Sequence, residues 1–174
     1  MCEKITSRKG NGRNKLVFCH YRGEIDEIRR RLVEAGMTVG TLDGRTSHEA
    51  REQMVLDENL DVMILQIMTG CEGLNLQQYK EIYFVSPHWN PAVEDQAVAR
   101  CHRIGQKDKV DIFRFTMAGF HEHEGSISLD EYASRVQGSK RAMYNIVDDS
   151  ARASLTGMGG REDDVCGVSE SESE

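Results

Sequence analysis

Residues 96–106 read QAVARCHRIGQ and follow a turn at 87–91, PHWNP, that contains both prolines of the chain. Asn90 is a common helix-capping residue, and Pro91 suits the first helical position, where its missing N–H is not needed. Acidic residues follow in the first turn, where the helix dipole favours negative charge. The stretch therefore predicts a helix that begins at Pro91.

This predicted helix has an apolar stripe and a basic flank. The apolar stripe consists of Val93, Ala97, Cys101 and Ile104. Gln96, Arg100 and Arg103 recur at i, i+4 and i+7, which predicts that two guanidinium groups leave one edge of the helix together. One interpretation is a solvated basic face on a core-packing helix. The alternative is a phosphate-binding site, because the planar guanidinium forms paired hydrogen bonds with phosphate.

The composition is typical of one globular domain. The chain has 174 residues, of which 39% are hydrophobic and 29% are charged, enough for one domain with a hydrophobic core. No apolar run approaches the ~20 residues that span a bilayer, and the N-terminus lacks the apolar core of a signal peptide. The five cysteines include no CxxC pair, which disfavours a zinc site and predicts a reducing, intracellular compartment.

The net charge of -7 is unevenly distributed. Residues 1–15 carry five basic residues and one acidic residue, whereas residues 161–174 carry six acidic residues and one basic residue. Overall charge bears on solubility and non-specific attraction rather than on fold. Any phosphate-binding surface of this protein is therefore expected to be a local patch.

Strands and helices are predicted to alternate along the chain. Short apolar runs predict strands at 15–20, 37–42, 62–67, 81–86 and 110–115. Apolar residues at helical spacing predict helices at 22–35, 47–57 and 129–147, besides the helix that begins at Pro91. This alternation predicts an α/β fold, a parallel sheet with helices on both faces, and functional loops at the carboxyl ends of the strands.

The two ends of the chain differ from this pattern. Residues 1–14 are polar and glycine-containing and predict a flexible leader. Residues 150–174 are rich in serine, glycine and acid and predict a disordered acidic tail. The predicted domain is therefore 15–149. His121 and His123 lie in a predicted loop, where a solvated loop is favoured over a metal site because no third ligand accompanies them.

Residues 88–106, HWNPAVEDQAVARCHRIGQ, closely resemble motif VI and its lead-in in the Swi/Snf-type DNA translocases of helicase superfamily two. The resemblance extends over about 15–147 and is to the second, C-terminal RecA-like lobe of that family. It favours the phosphate-binding interpretation of the predicted helix. It implies that Arg100 and Arg103 are catalytic arginine fingers that reach ATP across a cleft, with Gln96 and Gln106 in the same cleft.

Residues 69–76, TGCEGLNL, follow a predicted buried strand. Glycines allow backbone N–H groups to approach a phosphate, although a tight turn explains them equally well. The segment resembles motif V of the family, from which it departs at Cys71, where a second glycine is usual. The resemblance implies that the segment couples DNA contact to the ATP cleft. The implied cleft residues are Gly70, Gly73 and Asn75, and Thr69 is expected to face DNA.

Residues 42–47, LDGRTS, resemble the family's segment after the second strand of the lobe, which lies near the DNA backbone. Arg45 is the expected phosphate contact, and Thr46 can donate a hydrogen bond to the same group. A glycine-containing turn that ends in a helix cap also explains the segment, and the two interpretations are compatible because a helix N-terminus is itself an anion-binding site.

Residues 15–22, KLVFCHYR, resemble motif IV and suggest His20 and Arg22 as further DNA-facing residues. Trp89, the only tryptophan, belongs to a residue type that usually packs in the core, whereas the resemblance implies a position facing DNA, and the two interpretations are weighted equally. Gln137 and Lys140 match a Gln-x-x-Lys pattern on the helix that braces this lobe in the family, and a surface polar pair explains them equally well.

The sequence contains no GxxxxGK[ST] loop, the motif that cradles phosphates in P-loop ATPases. The resemblance therefore implies that ATP with Mg²⁺ is bound mainly by a missing first lobe, in cis or in trans. It also implies duplex DNA as a partner, and the nucleus or another site of DNA metabolism as the location. The chain alone is expected to be inactive. The alternatives are a non-enzymatic DNA- or protein-binding module and a nucleotide-binding enzyme of another α/β type, which the absence of GxGxxG disfavours.

Overall fold

Five parallel strands form a single sheet in the computed structural model, which describes residues 1–68, 73–117 and 127–157. The strand order is β2-β3-β1-β4-β5, and every neighbouring pair is parallel. The strands are β1 (Asn14–Cys19), β2 (Val39–Leu42), β3 (Val62–Gln66), β4 (Tyr79–Phe84) and β5 (Asp111–Arg114). The described helices are α1 (Cys2–Thr6), α2 (Arg22–Glu34), α3 (His48–Leu56), α4 (Pro91–Cys101) and α5 (Leu129–Gly157).

Helices cover both faces of the sheet, which confirms the predicted α/β fold class. Alternate side chains of a strand point to opposite faces, so that in β1 Leu16 and Phe18 enter one core while Val17 and Cys19 enter the other. The first core also contains residues of α3 and α4, and the second contains residues of α1 and α2. The nearly continuous apolar runs of the central strands follow from this double burial.

The N-terminal segment is ordered on the sheet, in contrast to the flexible leader predicted for residues 1–14. Ile5 of α1 is fully buried. The Arg8 guanidinium and the Asn11 amide both donate to Glu81, with Arg8 Nε 2.9 Å and Asn11 Nδ2 2.7 Å from Oε1. The local composition of residues 1–14 does not predict this order, because the partner carboxylate lies about seventy residues further along the chain on β4.

Helix α5 also extends beyond its predicted end. It continues to Gly157, so that the segment 150–157, assigned to a disordered tail from the sequence, is helical. Residues 151–155, ARASL, include alanine, arginine and leucine, which have high helix propensity. Residues 158–174, and the two histidines at 121 and 123, lie outside the described part of the chain.

Candidate functional site

Helix α4 begins as the sequence predicts. The Asn90 side chain accepts a hydrogen bond from the backbone N–H of Ala92 (3.2 Å), and Pro91 occupies the first helical position. The acidic residue Glu94 in the first turn is fully buried. The PHWNP turn and the cap therefore fix the start of the helix that carries Arg100.

The end of α4 differs from the prediction. The helix stops at Cys101, and Gly105 adopts a left-handed conformation with φ of 101°. Arg103 therefore lies in the following turn and does not share a helix flank with Gln96 and Arg100. Ile104, predicted to belong to the apolar stripe, is fully exposed. Glycine tolerates positive φ, and the turn at 102–105 ends a helix that apolar periodicity alone would continue.

The described part of the segment that resembles motif V, residues 73–76, contacts this end of α4 through Leu76. The backbone N–H of Leu76 donates to the carbonyl of Arg100 (3.1 Å), and the Gln106 amide donates to the carbonyl of Gln77 (2.8 Å). The Gln77 amide in turn donates to the carbonyl of Ile104 (3.2 Å). The two motifs thus form one unit in which the Gln106 amide supports the turn.

The predicted cleft residues occupy different positions on this unit. Gly73 has a positive φ of 74° and, like Asn75 and Gln96, is exposed. Gly70 and Thr69 lie outside the described residues. Arg100 is half-buried and Arg103 is exposed, and neither guanidinium forms a hydrogen bond or an ion pair with any residue in the described ranges 1–68, 73–117 and 127–157.

Arg45, by contrast, is held by two carboxylates. Its Nε donates to Asp43 Oδ2 (2.9 Å) and its Nη2 donates to Asp26 Oδ1 (2.9 Å). These hydrogen bonds hold the pKa of both carboxyl groups below its usual range. Arg22 lies beside the same turn, because a Cβ built on Gly44 would be 3.2 Å from Arg22 Nη2. The structure thus brings the two arginines together, but acidic groups surround them.

The turn interpretation of residues 42–47 is confirmed. The Thr46 hydroxyl accepts from the backbone N–H of Asp43 (3.2 Å) and donates to the carbonyl of Thr41 (3.4 Å). Ser47 caps α3 by accepting from the N–H of Ala50 (3.3 Å). The Thr46 hydroxyl is therefore already engaged within the protein.

His20 and Trp89 line a cavity of about 360 Å³ at the carboxyl ends of β1 and β4. His20 Nε2 lies 3.2 Å from the carbonyl of Ser86, and the His20 ring stacks on His88 with 5.4 Å between centroids. Trp89 is partly exposed and meets Tyr132 of α5 edge-on. The acidic side chains among the described lining residues belong to Glu24 and Asp130, which disfavours a phosphate inside the cavity.

Asp26 and Asp43, which neutralise Arg45, were missed as site residues at the sequence level, and so was the buried Glu94. Asp43 sits two residues before Arg45, a spacing at which an aspartate commonly bonds the backbone of a turn. That signal was present in LDGRTS. Asp26 has no such signal, because it reaches Arg45 from a different element.

Within residues 1–68, 73–117 and 127–157, no group of three or more His, Cys, Asp or Glu residues could hold a metal ion. No helix among those residues is long and apolar enough to cross a membrane.

These features define a RecA-like α/β lobe with a parallel sheet, in which hydrogen bonds join the motif V and motif VI segments. Residues 1–105, more than half of the chain, match the family described as the helicase conserved C-terminal domain. The chain belongs to this family.

Among similar proteins, DNA repair protein RAD5B of Arabidopsis thaliana is 28% identical over 87% of this chain and 12% of its own length. TATA-binding protein-associated factor mot1 of Schizosaccharomyces pombe is 31% identical over 83% of this chain and 7% of its own length. The solved C-terminal part of the Fun30 ATPase domain has the same fold, with a TM-score of 0.60, 18% identity and coverage of 78% of this chain and 51% of that one.

These relatives confirm the resemblance to the C-terminal lobe of the Swi/Snf-type proteins. The chain spans 12% and 7% of the length of the two curated relatives.

Proposed function

We propose that this chain acts as the second lobe of a Swi/Snf-type DNA-dependent ATPase. It supplies Arg100 and Arg103 to an ATP whose phosphates and Mg²⁺ are bound mainly by a first lobe, in cis or in trans. The reaction is phosphoryl transfer to water, which drives translocation along duplex DNA or remodelling in the nucleus or at another site of DNA metabolism.

The observation that best supports the proposal is that Arg100 and Arg103 lack a carboxylate partner among the described residues. Most of the arginines that this fold uses structurally, such as Arg8, Arg13 and Arg45, are bonded to carboxylates. Arg100 and Arg103 have no such partner in the described parts of the chain, although Arg100 belongs to the last turn of α4 and Arg103 to the hydrogen-bonded turn that follows it. A guanidinium held in place but left unpaired can neutralise the charge that develops on a transferring phosphoryl group.

The DNA contacts of the proposed lobe are contacts to the phosphate backbone. Arg22 and Arg45 lie together after β1 and β2, while His20 and Trp89 lie at the cavity after β1 and β4. Contacts of this kind position a protein on duplex DNA without reading its sequence. Binding is therefore expected to be sensitive to salt and tolerant of sequence.

Combining this chain with a compatible first lobe, fused or added in trans, tests the proposal. We expect DNA-stimulated ATP hydrolysis by the combination, and we expect Arg100→Ala to abolish it. Gln96→Ala on the same helix, which leaves both arginines in place, is expected to have a smaller effect. A combination that binds ATP and duplex DNA yet hydrolyses ATP equally well with Arg100→Ala and Arg103→Ala would overturn the proposal.

A further inference from the structure

A buried carboxylate sits at the start of the arginine-bearing helix. Glu94 is fully buried and accepts hydrogen bonds from three separate parts of the fold. The backbone N–H of His88 lies 2.9 Å from Oε1, the Gln137 amide of α5 lies 2.6 Å from the same oxygen, and Arg114 Nε at the end of β5 lies 2.9 Å from Oε2. Burial raises the pKa of Glu94, but the hydrogen bonds from Arg114, His88 and Gln137 outweigh it and hold the pKa below its usual value.

One face of α5 contacts residues 88–94 at several points. The Gln137 amide, itself buried, also donates to the carbonyl of His88, and Lys140 Nζ donates to the carbonyl of Trp89 (3.0 Å). Tyr132 contacts the Trp89 ring, with 5.8 Å between centroids. The polar pair Gln137 and Lys140 is therefore part of a junction between α5 and the turn that starts α4.

The junction is connected to the arginines through α4. Arg100 follows Glu94 by six residues, which places it about 9 Å further along the axis of a continuous helix. At that far end the carbonyl of Arg100 accepts from Leu76 of the motif V segment. A shift of the first turn of α4 would therefore move Arg100 and the Arg103 turn relative to the motif V segment.

A buried polar junction is a costly way to stabilise a fold. Well-packed apolar residues of the same volume commonly give equal or greater stability than a buried charged group with its partners. The hydrogen bonds fix the relative orientation of α4, α5 and β5, because they are satisfied in only one placement of these elements. The arrangement therefore suits the orientation of α4 better than it suits stability alone.

We infer that Glu94 and Gln137 are positioning residues for the arginine fingers, and that helix α5 sets the orientation of Arg100 and Arg103 without contributing a group to the cleft. This inference rests on the proposed function for its catalytic consequence. Its structural part, the support of α4 by the junction, can be measured independently of hydrolysis.

The structural part is tested on the 174-residue chain by amide hydrogen exchange. Gln137→Glu places a second carboxylate against Glu94, and Gln137→Met keeps the side-chain volume but removes both hydrogen bonds. Both should raise exchange at the amides of α4 by about ten-fold or more, with the amides of β1 and β3 little changed, because local opening has its own free energy. Arg135→Ala, an exposed position on the same helix, is the control. Unchanged exchange in α4, or a uniform rise across the sheet, would overturn the inference.

The catalytic consequence is tested in the combination with a first lobe. Gln137→Glu and Gln137→Met should lower kcat by about ten-fold or more while KM for ATP and Kd for duplex DNA stay within about three-fold, since the lost interaction orients a group that acts in the transition state. Measurements well below each variant's Tm separate this effect from unfolding. A kcat within two-fold of wild type, with raised exchange in α4, would overturn the positioning role. If the wild-type combination shows no DNA-stimulated turnover, the proposed function fails instead, and the exchange experiment still decides whether the junction supports α4.

Discussion

Arg100 and Arg103 are presented differently, one from the last turn of α4 and the other from the turn that follows. Replacing either by alanine in the combination with a first lobe should reduce turnover by about 10³–10⁵, the range for loss of an arginine finger. Lysine should not restore it, because a compact ammonium lacks the planar fork. Steady-state kinetics measures the loss.

Thermal melting of the same variants provides the control. Arg103 is exposed and Arg100 is only half-buried, so the change in free energy of unfolding should stay within about 0.5 kcal/mol. A merely solvated basic surface predicts nearly normal turnover in both variants, and that outcome would refute the finger assignment.

Arg45 gives a different prediction, because Asp26 and Asp43 compete with any phosphate for its guanidinium. Arg45→Ala should weaken duplex binding about equally across sequences and reduce the slope of log K against log salt by about one. Asp26→Asn should strengthen binding, since it removes one competing charge from a half-exposed site. Fluorescence anisotropy over a salt series, with two duplexes of unrelated sequence, measures both effects. A change in sequence preference, or no change in either variant, would show that the DNA-binding surface lies elsewhere.

At the level of elements, the N-terminal segment stabilises the sheet through Glu81. This fully buried carboxylate of β4 also accepts from the Tyr83 hydroxyl (2.7 Å) and lies 3.8 Å from Lys15 Nζ. Glu81→Ala leaves Arg8 and Lys15 without their partner carboxylate. Removing one member of a buried ion pair costs about 3–5 kcal/mol. Chemical denaturation measures this loss in the free energy of unfolding. Glu34→Ala, which breaks an exposed pair with Arg30, should cost no more than about 1 kcal/mol, and equal losses in the two variants would contradict a structural role for Glu81.

The same carboxylate predicts a pH dependence. Burial raises the pKa of Glu81, but hydrogen bonds from Arg8, Tyr83 and Asn11 outweigh it, so the folded-state pKa is lowered. A lowered pKa contributes stability that is present above the unfolded pKa of about 4.3 and is lost as pH falls through the folded value. The contribution of Glu81 to the free energy of unfolding should therefore be constant from neutral pH down to about pH 5 and should decrease below that. Glu81→Gln should be less stable at pH 7 and should lose less on acidification; an acid loss as large as that of wild type would contradict this assignment.

Most elements were predictable because their signals are local. Continuous apolar runs such as 62–66 indicate strands covered on both faces, and Asn90 with Pro91 fixes the start of α4. The end of α4 was not predictable from apolar spacing, because Ile104 continues the helical period while Gly105 leaves the helical conformation. The docking of the N-terminal segment depends on Glu81, and the neutralisation of Arg45 depends on Asp26. Neither partner is close in sequence, so the folded chain was needed to reveal them.

For the whole molecule, the acidic net charge of -7 opposes association with DNA except at a local patch. Arg45, the arginine expected to contact phosphate, is itself bonded to Asp26 and Asp43. The chain alone should therefore bind duplex DNA weakly, and a first lobe that also binds the duplex should strengthen the interaction by providing a second site at high effective concentration.

The last prediction is that the 174-residue chain alone has no DNA-stimulated ATPase activity. Its two candidate finger arginines can neutralise charge, but the sequence has no GxxxxGK[ST] loop to hold the phosphates from the other side. Hydrolysis depends on positioning the phosphates, the metal ion and the attacking water together, and fingers alone supply only part of that arrangement. The measurement is phosphate release with and without duplex DNA, repeated after a second purification. Arg100→Ala is the control, because a contaminating ATPase would persist in that variant unchanged. Turnover that scales with protein concentration, survives repurification and disappears with Arg100→Ala would show that a single lobe suffices.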